Sequence, residues 1–167
     1  MKNSILFFLI TFLGCSPSNI SQLKNHQIET IDQLISKWHK DAANANLGGY
    51  MKLMDSSFVY VGTDASEKWT KDEFSTFCKP YFDQNKTWDF KSIDRTINIS
   101  ADQNSAWFYE ILQTHMGTCR GSGILELKNK QWKLRQYVLS LAIPNEKMSE
   151  VKQLIYHNDS IFQSNYK

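Results

Sequence analysis

The chain has 167 residues, enough for one domain with a sizeable core and too few for two. Its 19 Lys and Arg against 17 Asp and Glu leave a formal charge of +2. With no basic run interleaved with aromatics, the sequence carries no nucleic-acid footprint.

Residues 1–15 read as an export signal: Lys2 supplies the positive start, and Ile5 to Leu13 an apolar run broken only by Thr11. That run is about half of the ~20 residues a membrane-spanning helix needs, so a permanent transmembrane segment is not expected. The polar stretch 16–25, with Pro17 and no apolar period, reads as a tether.

From Ile28 the apolar positions Ile28, Ile31, Leu34, Ile35, Trp38, Ala42 and Ala45 follow helical spacing and predict a long amphipathic first helix. His39, near the end of that stripe, reads as an ordinary surface or partly buried histidine. Gly48-Gly49 is expected to stop the helix, Tyr50 to Met54 to add a short helical turn, and Asp55-Ser56-Ser57 to deliver the chain to a strand over Phe58–Val61.

Gly62-Thr63-Asp64 ends that strand. Thr70 and Glu73 have the spacing of a capping box and open a second main helix, so Asp64 and Glu67 read as turn and helix-entry residues rather than catalytic ones. Trp69 is expected to pack against the strand at Phe58–Val61. Phe74, Phe77, Cys78, Tyr81 and Phe82 form one stripe on the helix, with Pro80 expected to kink or shorten it.

The rest changes character. Trp88–Ser100, Ser105–Met116, Thr118–Lys128 and Trp132–Ile143 read as four strands of an antiparallel meander, with Asn129-Lys130-Gln131 as a hairpin turn. Gly117, Gly121 and Gly123 point to a bulge, a bend, or close approach by another group. After Pro144-Asn145, Met148, Val151, Leu154 and Ile155 suggest a helix over about Glu146–His157 that covers one face or the mouth of the sheet.

Two resemblances add to this reading. Phe12-Leu13-Gly14-Cys15 resembles the lipobox of bacterial lipoproteins, which implies that Cys15 is lipidated and the protein is held in the cell envelope. Ordinary cleavage, giving a periplasmic or secreted soluble protein, is the alternative. That leaves Cys78 and Cys119 as buried free thiols or a disulfide pair, with the thiols favoured.

The second resemblance rests on Phe58-Val59-Tyr60-Val61-Gly62-Thr63-Asp64 with Glu67-Lys68-Trp69-Thr70. Ala106-Trp107-Phe108, Arg120-Gly121-Ser122-Gly123 and Trp132-Lys133-Leu134 through Ile143-Pro144-Asn145 complete it. Over roughly Glu29–Asn145 these residues resemble the nuclear transport factor 2-like superfamily, and within it the SnoaL-like proteins. The resemblance implies an α+β cone, a curved antiparallel sheet packed on N-terminal helices with a pocket at its open end, and frequently a homodimer formed sheet to sheet. The domain then spans 26–145, and 146–167 is an added C-terminal helix and tail.

Tyr60, Trp69, Trp88 and Trp107 are candidates to line an apolar cavity, with His115 and Arg120 at its rim for an anionic group. Trp132, Leu134, Gln136, Val138 and Ser140 share one face of the last strand, and the resemblance implies that Gln136 and Val138 stand at pocket positions where SnoaL-like relatives carry His. Neither can take a proton near neutral pH, which counts against acid–base catalysis. Glu110 is the remaining candidate acid or base. It is either buried with a raised pKa or paired with Arg95, Arg120 or Arg135, and the pairing is the expected outcome.

No metal-ligand spacing and no cofactor motif is present. The reading is a non-catalytic module that binds a small apolar ligand or a protein partner, with a small isomerase, cyclase or hydrolase as the alternative.

Overall fold

The structure, a computed structural model, describes residues 17–166. The export signal, Cys15 and the first residue of the tether lie outside the described residues. The first helix, α1, runs Pro17–Ala43, so most of the segment read as a tether is helical. Pro17 suits a helix start, where its missing N–H costs nothing.

Helix α1 ends where Ala45 turns left-handed at φ 53°. Asn46 then caps a short helix α2, Leu47–Leu53, its side chain accepting from the Gly49 N–H at 3.1 Å. Gly48 and Gly49 therefore open a helix rather than stop one. Gly49 is required there because a Cβ would run into the side chains of Asn46 and Asp41.

Strand β1 covers Met54–Val61 and begins earlier than its aromatic core suggests, because it bulges between Met54 and Val59. A short strand β2, Lys68–Thr70, pairs antiparallel with it and sets Trp69 opposite Tyr60, as expected of Trp69. Helix α3, Lys71–Asp83, opens on the complete capping box: Thr70 Oγ1 accepts from the Glu73 N–H and the Glu73 carboxylate accepts from the Thr70 N–H at 2.8 Å. It runs unbroken through Pro80. Phe74, Cys78 and Phe82 are buried on both sides of the proline, and that packing outweighs one lost hydrogen bond.

The meander follows as β3 (Lys91–Ile99), β4 (Ser105–Thr114), β5 (Gly117–Lys128) and β6 (Gln131–Leu141). Asn129 and Lys130 both have positive φ, the conformation that joins β5 tightly to β6. The six strands order as β2-β1-β6-β5-β4-β3, with β1 parallel to β6 and every other neighbour antiparallel. This curved sheet packs its inner face on α1, α2 and α3, giving the α+β cone.

A 3₁₀ turn at Asn145–Lys147 leads into α4, Met148–Ser164. That helix buries none of its residues, and Leu154 is 81% exposed. It therefore does not cover the sheet or its mouth as expected. Cys78 and Cys119 are both buried and free. Burial pushes the Cys78 thiol up to about 12, so it behaves as a small apolar group.

Candidate functional site

Strand β4 alternates cleanly. Ala106, Phe108, Glu110 and Leu112 face inward, and Trp107 and Tyr109 face outward. Glu110 is thus a fully buried carboxylate on an otherwise apolar row. Burial alone would drive its pKa up, but hydrogen bonding to His39 and the charge and hydrogen bonds of Arg95 outweigh it and hold the carboxyl below its ordinary range.

The geometry explains why. Arg95, opposite Glu110 on β3, donates from Nε and Nη2 to Oε2 at 2.9 and 2.8 Å. His39 Nε2 lies 2.8 Å from Oε1, and Tyr137 Oη donates to the same oxygen at 2.9 Å. An ionised carboxylate only accepts, so both of those neighbours act as donors and four hydrogen bonds occupy its lone pairs. Arg95 also reaches α1 through Nη1, bonding Asp32 Oδ1 at 2.7 Å and Ser36 Oγ at 2.9 Å. This network ties an edge strand to a helix far away in sequence.

Glycines on β5 make the space. A Cβ on Gly121 would overlap the Tyr137 hydroxyl and crowd Glu110, and one on Gly123 would come within 2.6 Å of Phe108. Of the reasons open for these glycines, close approach is the one found. Burial and the Glu110 charge push the Tyr137 phenol well above its ordinary value, so it stays protonated.

Strand β6 corrects the expected alternation. The β5–β6 register shifts between Ile124 and Leu125, which pair with Gln136 and Leu134 and leave Arg135 as an extra residue. A bulge of one residue swaps the faces beyond it. Trp132 and Leu134 point inward, but so do Tyr137 and Leu139, while Gln136 and Ser140 are exposed and Val138 is half-buried. Gln136 and Val138 therefore lie on the face opposite the cone's interior and are absent from the aromatic cavity described below. The inward position carries a tyrosine.

Arg135 and Arg120 are not partners of Glu110. Arg135 instead meets buried Asp55 at 2.5 Å, where Lys128 Nζ is 2.9 Å away. The Ser57 backbone N–H, followed by Lys128, holds the Asp55 carboxyl far below its ordinary range. Arg120 is exposed on the outer sheet face, as is Trp107 at 47%, so neither belongs to the cavity.

The other candidates do converge. Tyr60, Trp69, Trp88 and His115 line a cavity of about 220 Å³, completed by Phe77, Tyr81, Phe90 and Leu139. Strand β1 supplies Tyr60 and β2 supplies Trp69. Helix α3 supplies Phe77, stacked on Trp69 with centroids 4.8 Å apart, and the β4–β5 turn brings His115 onto Phe90. Burial raises the Tyr60 phenol above its ordinary value and keeps it neutral.

Glu67 also lines this mouth, and the sequence reading missed it. Its Oε2 accepts from the Asp64 N–H at 3.1 Å, and its side chain folds over Gly62, where a Cβ would collide with it. The available signal was Gly62 itself, a glycine facing a carboxylate across a tight strand connection.

Comparison with known proteins agrees with this architecture. The SnoaL-like domain family matches residues 31–144, and the chain belongs to it. No curated protein matches. An NTF2-like protein of unknown function from Pseudomonas putida superposes with a TM-score of 0.61 at 12% identity, covering 76% of this chain and 92% of that one. The association domain of CaMKII from C. elegans gives 0.59 at 16% identity, over 72% and 99%. An NTF2-like protein from Cytophaga hutchinsonii gives 0.59 at 13%, over 70% and 98%. At such identities the likeness establishes the fold.

Proposed function

We propose that the protein is an envelope-anchored SnoaL-like module that binds a small, flat, apolar ligand in the aromatic mouth without transforming it. The observation that carries this reading is the convergence of Tyr60, Trp69, Trp88 and His115, distant in sequence, on one cavity. Its volume of about 220 Å³ is below the roughly 300–1,000 Å³ of drug-sized sites, which suits one or two fused rings. Glu110 supports binding over turnover, because all its acceptor positions are taken.

A melting-shift screen of the full-length chain with mono- and bicyclic aromatic compounds tests the reading. Hits are expected, and a hit at a hundred times its Kd adds about 2.7 kcal/mol of stability. Trp69→Ala is expected to weaken each hit by about tenfold or more, the equivalent of ~1.4 kcal/mol. Hits that bind Trp69→Ala as tightly as the parent would remove the mouth from consideration.

A small acid–base enzyme is the second reading, and it is favoured by one observation: Glu67 and His115 line the same cavity. Turnover of a screened compound that vanishes in both Glu67→Gln and His115→Ala would establish it. Anchoring rests on the lipobox-like Phe12-Leu13-Gly14-Cys15. Cys15→Ser is expected to move the protein from membrane to soluble fractions in a lipoprotein-processing bacterium, and unchanged partitioning overturns the anchor. The exposed Trp107, Tyr109 and Ile124 on the outer sheet face support a homodimer, which light scattering measures directly.

A further inference from the structure

A second concavity, of about 370 Å³, lies between α1, α2 and the β5–β6 hairpin and shares no residue with the aromatic mouth. Its floor is apolar, formed by Leu34 and Trp38 of α1, Leu53 of α2 and Trp132 of β6. Its walls carry Lys37, Lys52, Lys130 and Lys133 against a single acid, Asp41.

Those charges are not equally available. Lys37 is committed to Asp41 at 2.5 Å, and Asp41 also accepts from Asn46 at 3.0 Å, so the acid is neutralised within the wall. Lys133 caps the C-terminal end of α2 by donating to the Lys52 carbonyl at 3.0 Å. Lys52 and Lys130 have no ion-pair or side-chain hydrogen-bond partner among the described residues. Lys130 is moreover held in place by the tight turn in which it and Asn129 take positive φ.

We propose that this groove is a binding site for an anionic amphiphile, a carboxylate or phosphate head joined to a short apolar chain. The chain lies along Leu34, Leu53 and Trp132. The head is held by Lys52 and Lys130. An apolar floor alone would take any oily molecule, and lysines alone would take any anion. Their juxtaposition selects a molecule with both parts.

The test uses decanoate, decyl phosphate, decanol and inorganic phosphate as probes of the full-length chain, read by calorimetry and melting shift. Decanoate or decyl phosphate is expected to bind at least about tenfold more tightly than decanol and than inorganic phosphate. Their relative affinities assign the head as carboxylate or phosphate. The double variant Lys52→Glu/Lys130→Glu, at two exposed positions, is expected to lose about tenfold or more while the ligand-free melting point stays put. Trp69→Ala, in the mouth, should leave decanoate binding unchanged, which separates this site from the one proposed above. Absence of binding by both amphiphiles, decanol binding as tightly as decanoate, or unaltered affinity in the lysine double variant would each overturn the proposal.

Discussion

The surroundings of Glu110 and the aromatic mouth adjoin, with Tyr137 of the first beside Tyr60 of the second, yet their polar groups are treated in opposite ways. Around Glu110 every charge has a counterpart: Arg95 and His39 face the carboxylate, Tyr137 donates to it, and Asp32 takes the far side of the guanidinium. At the mouth His115 is exposed on a turn, and Glu67 bonds only the backbone of its own loop. A saturated buried network holds elements together, and it cannot exchange a proton without losing a partner. An aromatic cavity with lightly committed polar groups at its edge leaves them for something else to use. Among the described residues the most buried carboxylate, Glu110, is fully committed to its partners, and the less committed polar groups stand where burial is incomplete.

Removing the charge from the network should have the largest effect. Glu110→Gln leaves the Arg95 guanidinium, its side chain only 5% exposed, without its buried counterion and with the half-exposed Asp32 as its remaining ion-pair partner. It is expected to cost about 3–5 kcal/mol in denaturant unfolding. An unmoved midpoint would show that the network does not hold β3 to α1.

The same contrast has a pH signature. The Glu110 carboxyl lies below its ordinary value of 4.5 in the folded state, so its contribution is fully present above that pH and is lost as pH falls through the folded value. Acid unfolding should therefore steepen below about pH 4.5 in the parent, and less so in Glu110→Gln. Identical acid limbs would assign the transition to other groups, Asp55 first among them.

Gly121→Ala probes the space around the network without touching its charges. The added methyl overlaps the Tyr137 hydroxyl. A loss of about 1–3 kcal/mol is expected, as for other overpacked cores. A smaller loss would mean that Tyr137 moves aside while Glu110 keeps its remaining partners.

On the mouth side the smallest effect is expected at the helix that carries its wall. Thr70→Ala removes the cap hydroxyl of α3 and should cost about 1 kcal/mol. An unchanged midpoint would mean that the Glu73 half of the capping box suffices.

Much of this molecule was legible in the chain because it is local. Thr70 and Glu73 make their cap within one helical turn, Asn129 and Lys130 make their own hairpin, and the inward row Ala106, Phe108, Glu110, Leu112 follows from strand alternation. The pairing of Glu110 with an arginine on a neighbouring strand was foreseeable for the same reason, since a charge on an apolar row needs a counterion within reach.

What the sequence left open depends on contacts between distant segments. The extra residue at Arg135 reverses which side chains of β6 face inward, and no periodicity announces it, because a bulge is selected by how two strands and the Asp55 cluster fit together. His39 was read as unremarkable because its partner Glu110 lies 71 residues away, and Glu67 because its role at the mouth exists only once β1, β2 and the β4–β5 turn meet. Local hydrogen bonding and side-chain periodicity, acting over a few residues, decided the elements. The burial of charges and the shape of cavities depend on long-range packing, and only the assembled sheet and helices decided those.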